Sequence, residues 1–315
     1  MKVDLTARVK DLTLKNPITV ASGTFGTTDE YAGYVDPKKL GAIITKTITV
    51  KSRAGNPMPR ICETSAGMLN AIGLQNKGLE DFIEHKIPYF KKLGVPLIVS
   101  IAGESAEEFG KLAKAFDGIQ DVVKALEVNL SCPNVETGGV NFMKKQERIL
   151  DAVKAVCDQT GLLIFAKISP ELGDVLEIAG KVIGQGVDGI SLINTLRGMA
   201  VDLRTRSSRL AKDFGGLSGP AIKPVALRYV YQVKKEFRVP VIASGGISTA
   251  QDALEFLIVG ADLLAIGTAN FVEPQATLHI LKGIEEFCRK EKIRRLDDLR
   301  GSYKSAGEKE EGCSR

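Results

Sequence analysis

The chain has 315 residues, 44% hydrophobic and 26% charged, with 32 glycines. That length buries a full core within one α/β barrel and needs no staples, and many glycines suit many tight strand-to-helix turns. The net charge of +5 is small, aromatic residues make up 6% and tryptophan is absent, which argues against a nucleic-acid surface built on basic patches or stacking rings.

The five cysteines, Cys62, Cys132, Cys157, Cys288 and Cys313, are far apart and form no C-x-x-C pair. No zinc or iron–sulfur site is expected in this chain, and a reducing, cytoplasmic setting is the simpler reading. The start, Met1 to Leu5, lacks a signal-peptide core, and no run of about 18 apolar residues is present to span a membrane.

In chain order, Val3-Asp4-Leu5 and Asp11 to Leu14 read as a small β-hairpin plugging the closed end of a barrel. Eight short apolar runs follow: Ile18–Ala21, Ala42–Thr45, Pro96–Ile101, Ala125–Leu130, Leu163–Ile168, Gly189–Ile193, Pro240–Ala243 and Leu263–Ile266. Continuous apolar runs of this length suit parallel strands buried on both faces. Amphipathic stretches of helical period lie between them, at Ala106–Phe116, Gln146–Gln159, Val175–Gln185, Ile222–Phe237 and Ala250–Val259. Ser248 is read as an N-cap, with Gln251 at the third helical position. Eight alternations predict a TIM (β/α)8 barrel over residues 1–300 as one domain, with a doubly wound open sheet as the alternative. The polar segment from Gly301 to Arg315 reads as a frayed tail.

The active site of such a barrel lies at the carboxyl ends of its strands. Those ends carry Ser22, Lys46, Thr47, Ser100, Asn129, Cys132, Asn134, Lys167, Asn194, Thr195, Gly245, Gly246, Gly267 and Thr268. Two lysines in one mouth suggest an anionic or electron-rich ligand. The glycine turns after the seventh and eighth runs, with Gly219 upstream, suit backbone contact with a phosphate, as in FMN. Cys132, past a strand end and before a proline, is placed as a reactive thiol rather than packing. Asn70, Asn129, Asn134 and Asn194 offer donors and acceptors to a flat ring of alternating N–H and C=O groups, such as a pyrimidine.

The segment Glu127-Val128-Asn129-Leu130-Ser131-Cys132-Pro133-Asn134 resembles the catalytic loop of class 1 dihydroorotate dehydrogenases. Asn70-Ala71-Ile72-Gly73-Leu74-Gln75-Asn76 is similar to their substrate loop. Ile193-Asn194-Thr195 and Gly215 to Pro224 resemble the NAD-linked branch, class 1B. The resemblance implies that Cys132 is the base at C5 of dihydroorotate and that hydride leaves C6 for the flavin, giving orotate in de novo UMP synthesis. It places Lys46, Asn70, Ala71, Ile72, Gly73, Leu74, Asn129, Asn134, Asn194 and Thr195 on the substrate, and Lys167 beside the flavin, where it stabilises the reduced form. Ser22, Lys46, Thr47, Ser100, Asn129, Ile193, Gly219, Gly245, Gly246, Gly267 and Thr268 would line FMN, although some class 1B relatives have Asn where Ser100 stands.

No Rossmann G-x-G-x-x-G follows a strand, so NAD is not expected on this chain. The class 1B resemblance instead implies a dimer joined to a second subunit carrying FAD and a 2Fe–2S cluster, a heterotetramer in all. Three other readings stand beside it. A dihydropyrimidine dehydrogenase-like chain has a similar loop but tends to continue Cys-Pro-His, and its fused form carries extra cysteine clusters. The fumarate-using class 1A needs no partner, and a flavin or pyrimidine sensor needs no turnover.

Overall fold

The computed structural model describes residues 1–26, 29–31, 33–130 and 146–305. A hairpin, β1 (Ala7–Val9) and β2 (Leu12–Leu14), precedes the strands β3 (Ile18–Val20) and β4 (Ile43–Ile44). A second hairpin follows, β5 (Ile61–Thr64) and β6 (Gly67–Asn70). Next come β7 (Leu97–Ile101), β8 (Val123–Asn129), β9 (Leu163–Ile168) and β10 (Gly189–Leu192). Four short strands branch off after β10: β11 (Leu196–Gly198), β12 (Val201–Asp202), β13 (Ser207–Ser208) and β14 (Gly215–Ser218). The last two are β15 (Val241–Ser244) and β16 (Leu263–Ile266).

Eight of these strands form one parallel sheet in the order β3-β16-β15-β10-β9-β8-β7-β4. Sequential neighbours with helices between them curl the sheet into a TIM barrel, and the Gly41 N–H donates to Ile18 O at 2.9 Å across the remaining seam. The eight expected runs are these eight strands, and the five expected helices form within two residues of their anticipated bounds.

Both strand faces are buried, so the period of two divides each strand between two cores. Leu126, Val128, Ile164, Ala166, Val241, Ala243, Leu264 and Ile266 pack outward under the helices. Ile44, Ile98, Ala125, Phe165, Ile242, Leu263 and Ala265 point inward and meet Ala7, Val9 and Leu14 of the hairpin, which plugs the amino end of the barrel.

The first arm of that hairpin lies further along than Val3–Leu5. Ala7 pairs with Leu14 and Val9 with Leu12 around a two-residue turn, because Ala7-Arg8-Val9 alternates buried, exposed, buried, and this register puts both apolar residues on the plug. Val3–Leu5 instead runs beside the carboxyl-terminal segment, where Asp4 N–H donates to Arg294 O and Leu296 N–H to Asp4 O, both at 2.9 Å. Gly301 N–H and Tyr303 N–H likewise donate to Leu257 O and Ile258 O.

One helix start also moves. Thr249, not Ser248, is the N-cap of the helix Ala250–Ile258, and Asp252 closes a capping box with it. Asp252 wins over Gln251 because an ionised carboxylate is the stronger acceptor. It takes the N–H groups of Ser248 and Thr249 and the Lys223 ammonium at 2.7–3.0 Å.

Removing the plug should be costly. Leu14→Ala, at a residue 1% exposed, is expected to cost about 2–5 kcal/mol, read as a lower urea midpoint with unchanged slope.

Candidate active site

The inward row changes character as it climbs from the plug. Two residues beyond Ile44, Ile98, Ala125, Phe165, Ile242 and Ala265 stand Lys46, Ser100, Glu127, Lys167, Ser244 and Gly267. The same period of two that fills the floor with hydrocarbon thus sets polar groups on the level above it. Asn129 follows one step higher on β8.

These groups bond to one another across the barrel. Lys167 Nζ donates to Ser22 Oγ at 3.0 Å and lies 3.2 Å from Glu127 Oε1, and Ser191 Oγ donates to Glu127 Oε2 at 2.9 Å. Asn194 Nδ2 donates to Asn129 Oδ1 at 3.3 Å, Asn129 Nδ2 reaches Thr47 Oγ1 at 3.4 Å, and Thr47 shares a 3.0 Å hydrogen bond with Ser100. Thr195 N–H donates to Asn194 Oδ1 at 2.8 Å, which orients that amide.

A four-stranded antiparallel sheet, β11-β14-β6-β5, covers the mouth. It was not anticipated, because its strands are short and only half-buried, with no apolar run to announce them. It matters because Asn70 ends β6 opposite Gly216 of β14, donating from Nδ2 to Gly216 O at 3.2 Å. The loop after β6 is braced from behind. Asn76 Nδ2 donates to Leu74 O at 2.7 Å, and Asn56 Nδ2 to Ala71 O at 2.9 Å.

Between cover sheet and barrel lies a cleft of about 1210 Å3, counted to its open mouth. Of the anticipated residues, Ser22, Lys46, Thr47, Asn70, Ile72, Gly73, Leu74, Asn129, Lys167, Ile193, Asn194, Thr195, Gly219, Gly245, Gly246, Gly267 and Thr268 line it. Two stand back from it. Ser100 is fully buried behind Thr47, and Ala71 is 1% exposed with its side chain in a small core with Leu69 and Leu210. Cys132 and Asn134 lie outside the described residues. Sequence reasoning did not select Ile61, Met68, Ser218 or Phe271, which also line the cleft. The first three belong to the cover sheet, and Phe271 follows β16 as an exposed ring. Glu127 lies within the catalytic-loop motif, and a charge inside the apolar run of β8 is the signal that marks it.

One side of the cleft is backbone. Among the described residues, the amide N–H groups of Gly245, Gly246, Gly267 and Thr268 find no acceptor. Gly246 is required by geometry: at φ +75° an added Cβ would stand 2.6 Å from Lys223 Cβ and 2.8 Å from Lys223 N. Behind that turn Lys223 pairs with Asp252 and Glu255 at 2.7 and 2.9 Å. Burial works against both charges, yet these bonds outweigh it, raising the Lys223 pKa and lowering that of Asp252.

Away from the cleft, burial pushes the Cys157 and Cys288 thiols up, which suits inert packing. Among the described residues, no three His, Cys, Asp or Glu side chains are grouped to hold a metal ion, and no helix is long and apolar enough to cross a membrane.

The family model described as dihydroorotate dehydrogenase matches residues 4–288. The chain belongs to the dihydroorotate dehydrogenase family. Membership makes it an enzyme, and the cleft at the carboxyl ends of the strands is where a barrel enzyme works. The chain is 48% identical over 302 residues to the protein named dihydroorotate dehydrogenase B (NAD(+)), catalytic subunit, of Desulforamulus reducens, covering 96% of this chain and 99% of that one. Proteins of the same name from Geotalea uraniireducens and a Thermoanaerobacter species are 47% and 45% identical, each covering 96% of this chain and 98% and 99% of their own lengths.

Gly246→Ala is expected to cost at least about 1 kcal/mol in urea unfolding, because the added methyl meets strained backbone and a close neighbour together.

Proposed function

We propose that this chain oxidises dihydroorotate to orotate, with FMN as the bound hydride acceptor, in de novo pyrimidine (UMP) synthesis. The observation that carries the reading is the meeting of Lys46 and Lys167 with the amides of Asn70, Asn129 and Asn194 in one cleft flanked by bare glycine amides. That donor set suits a planar, anionic pyrimidine beside a phosphorylated ring cofactor.

The residues fit FMN. Gly245, Gly246, Gly267 and Thr268 would hold its phosphate through their amides, with Gly219 packed nearby. Ser22, Thr47, Asn129 and Ile193 would flank the ring, and Ser100 acts through Thr47. When bound, FMN supplies the two-electron acceptor for the hydride leaving C6 of the substrate. The protein supplies the rest. Lys46 and the amides of Asn70, Asn129, Asn134 and Asn194, with Thr195, orient the ring and its carboxylate. The loop from Ala71 to Leu74 would hold the substrate, with Ile72, Gly73 and Leu74 lining the cleft. Cys132 takes the C5 proton as its thiolate, and Lys167 presents positive charge at the ring edge where negative charge accumulates.

The relatives' name speaks of a catalytic subunit and of NAD(+). This chain shows no dinucleotide fingerprint of its own. We therefore place it in a cytoplasmic heterotetramer, a dimer of this chain with two subunits that carry FAD and a 2Fe–2S cluster and deliver electrons to NAD.

Anaerobic titration of the purified chain tests the reading. Dihydroorotate should bleach the flavin absorbance, while NADH and dihydrouracil should not. Bleaching by dihydrouracil, or a chain free of flavin, would overturn it. Cys132→Ser should keep orotate binding and slow bleaching about a hundred- to ten-thousandfold at pH 7. Near-normal rates in that variant would remove Cys132 from the role.

A further inference from the structure

Lys167 has a place in the proposed chemistry, but the carboxylate that holds it does not. Glu127 is 0% exposed and sits on the inward face of β8, one step below Asn129. One of its oxygens faces the Lys167 ammonium at 3.2 Å, and the other accepts from Ser191 on β10. Lys167 completes the chain by donating to Ser22 beyond β3. Four strands thus meet in a single run of polar contacts directly beneath the cleft.

Stability alone is a weak reason for such a pair. Burying two charges is expensive, and apolar residues of similar volume commonly serve a core as well or better. One level lower on the same strands, Ala125 and Phe165 do this. The ion pair appears only where the barrel interior gives way to the cleft, with its lysine end lining the cavity and its carboxylate end beneath.

We infer that Glu127 is a positioning residue for the reaction: it fixes the Lys167 ammonium at the floor of the cleft and offsets its charge, so that the bound ring meets an aimed dipole instead of a bare cation. The inference rests on the FMN reading above.

Sulfite provides a probe that is independent of turnover. It adds as an anion to an oxidised flavin ring, bleaches the visible band, and binds more tightly as positive charge near the ring increases. In the FMN-loaded chain, Glu127→Gln should tighten sulfite binding about tenfold, while Glu127→Asp, which keeps the charge, should stay near the parent value. Unchanged or weaker sulfite binding in Glu127→Gln, with only a lower unfolding midpoint, would reduce Glu127 to a structural partner. If Glu127→Gln does not fold, the double variant Lys167→Met/Glu127→Gln is loaded with FMN instead. With both charges gone, sulfite binding near the parent value is what charge compensation predicts, and binding about tenfold away from it, or a double variant that does not fold, would overturn the inference. A parent chain that carries no flavin would fail the FMN reading itself, a result separable from any of these.

Discussion

The structure depends on one constraint: eight strands, most of them four to seven residues long, must satisfy two cores at once. Outward residues pack under helices, and inward ones fill the barrel interior from the plug up to the floor of the cleft. Near the hairpin plug the inward answer is hydrocarbon, with Phe165 the largest contributor. Near the mouth it is the Lys167–Glu127 pair and the serine, threonine and asparagine groups bonded around it. Because the alternation is rigid, the chemical character of the site is set by which residues stand two and four places beyond the apolar floor.

That constraint explains what could be read in advance. Strands buried on both faces appear as unbroken apolar runs, so their number and order were visible, and with them the barrel. The residues at their ends were visible for the same reason: Lys46, Asn129 and Lys167 interrupt or follow apolar runs where polar groups need a purpose. The alternation itself was hidden, since both faces of these strands are largely apolar. Glu127 therefore passed as part of a family motif when it is a fully buried charge.

The misses have local causes. The hairpin register was decided by Ala7 and Val9, small apolar residues in a polar stretch that gave little signal beside Val3 and Leu5. The helix cap moved by one residue because Asp252 also collects Lys223, a partner 29 residues away that no local pattern reveals. The cover sheet escaped because its strands present mixed, half-buried faces, and its stabilising contacts come from a distant part of the chain. Ser100 and Ala71 stand one layer back from the cleft, Ser100 hydrogen-bonded to Thr47 and Ala71 packed with Leu69 and Leu210, where they support neighbours that line it.

The cover sheet gives the site a place in time. β6 branches off after the second barrel strand and β14 after the sixth, so the contact between Asn70 and Gly216 spans 146 residues. A chain emerging from synthesis has completed most of its barrel before Gly216 exists to receive Asn70, and the β3–β16 seam must still wait for Leu263 to Ile266. Long-range pairings of this kind form late because their loop-closure cost is met only after nearer contacts are in place. The roof of the cleft is accordingly among the last parts of the molecule to form, and a truncated or stalled chain has strands without a binding site.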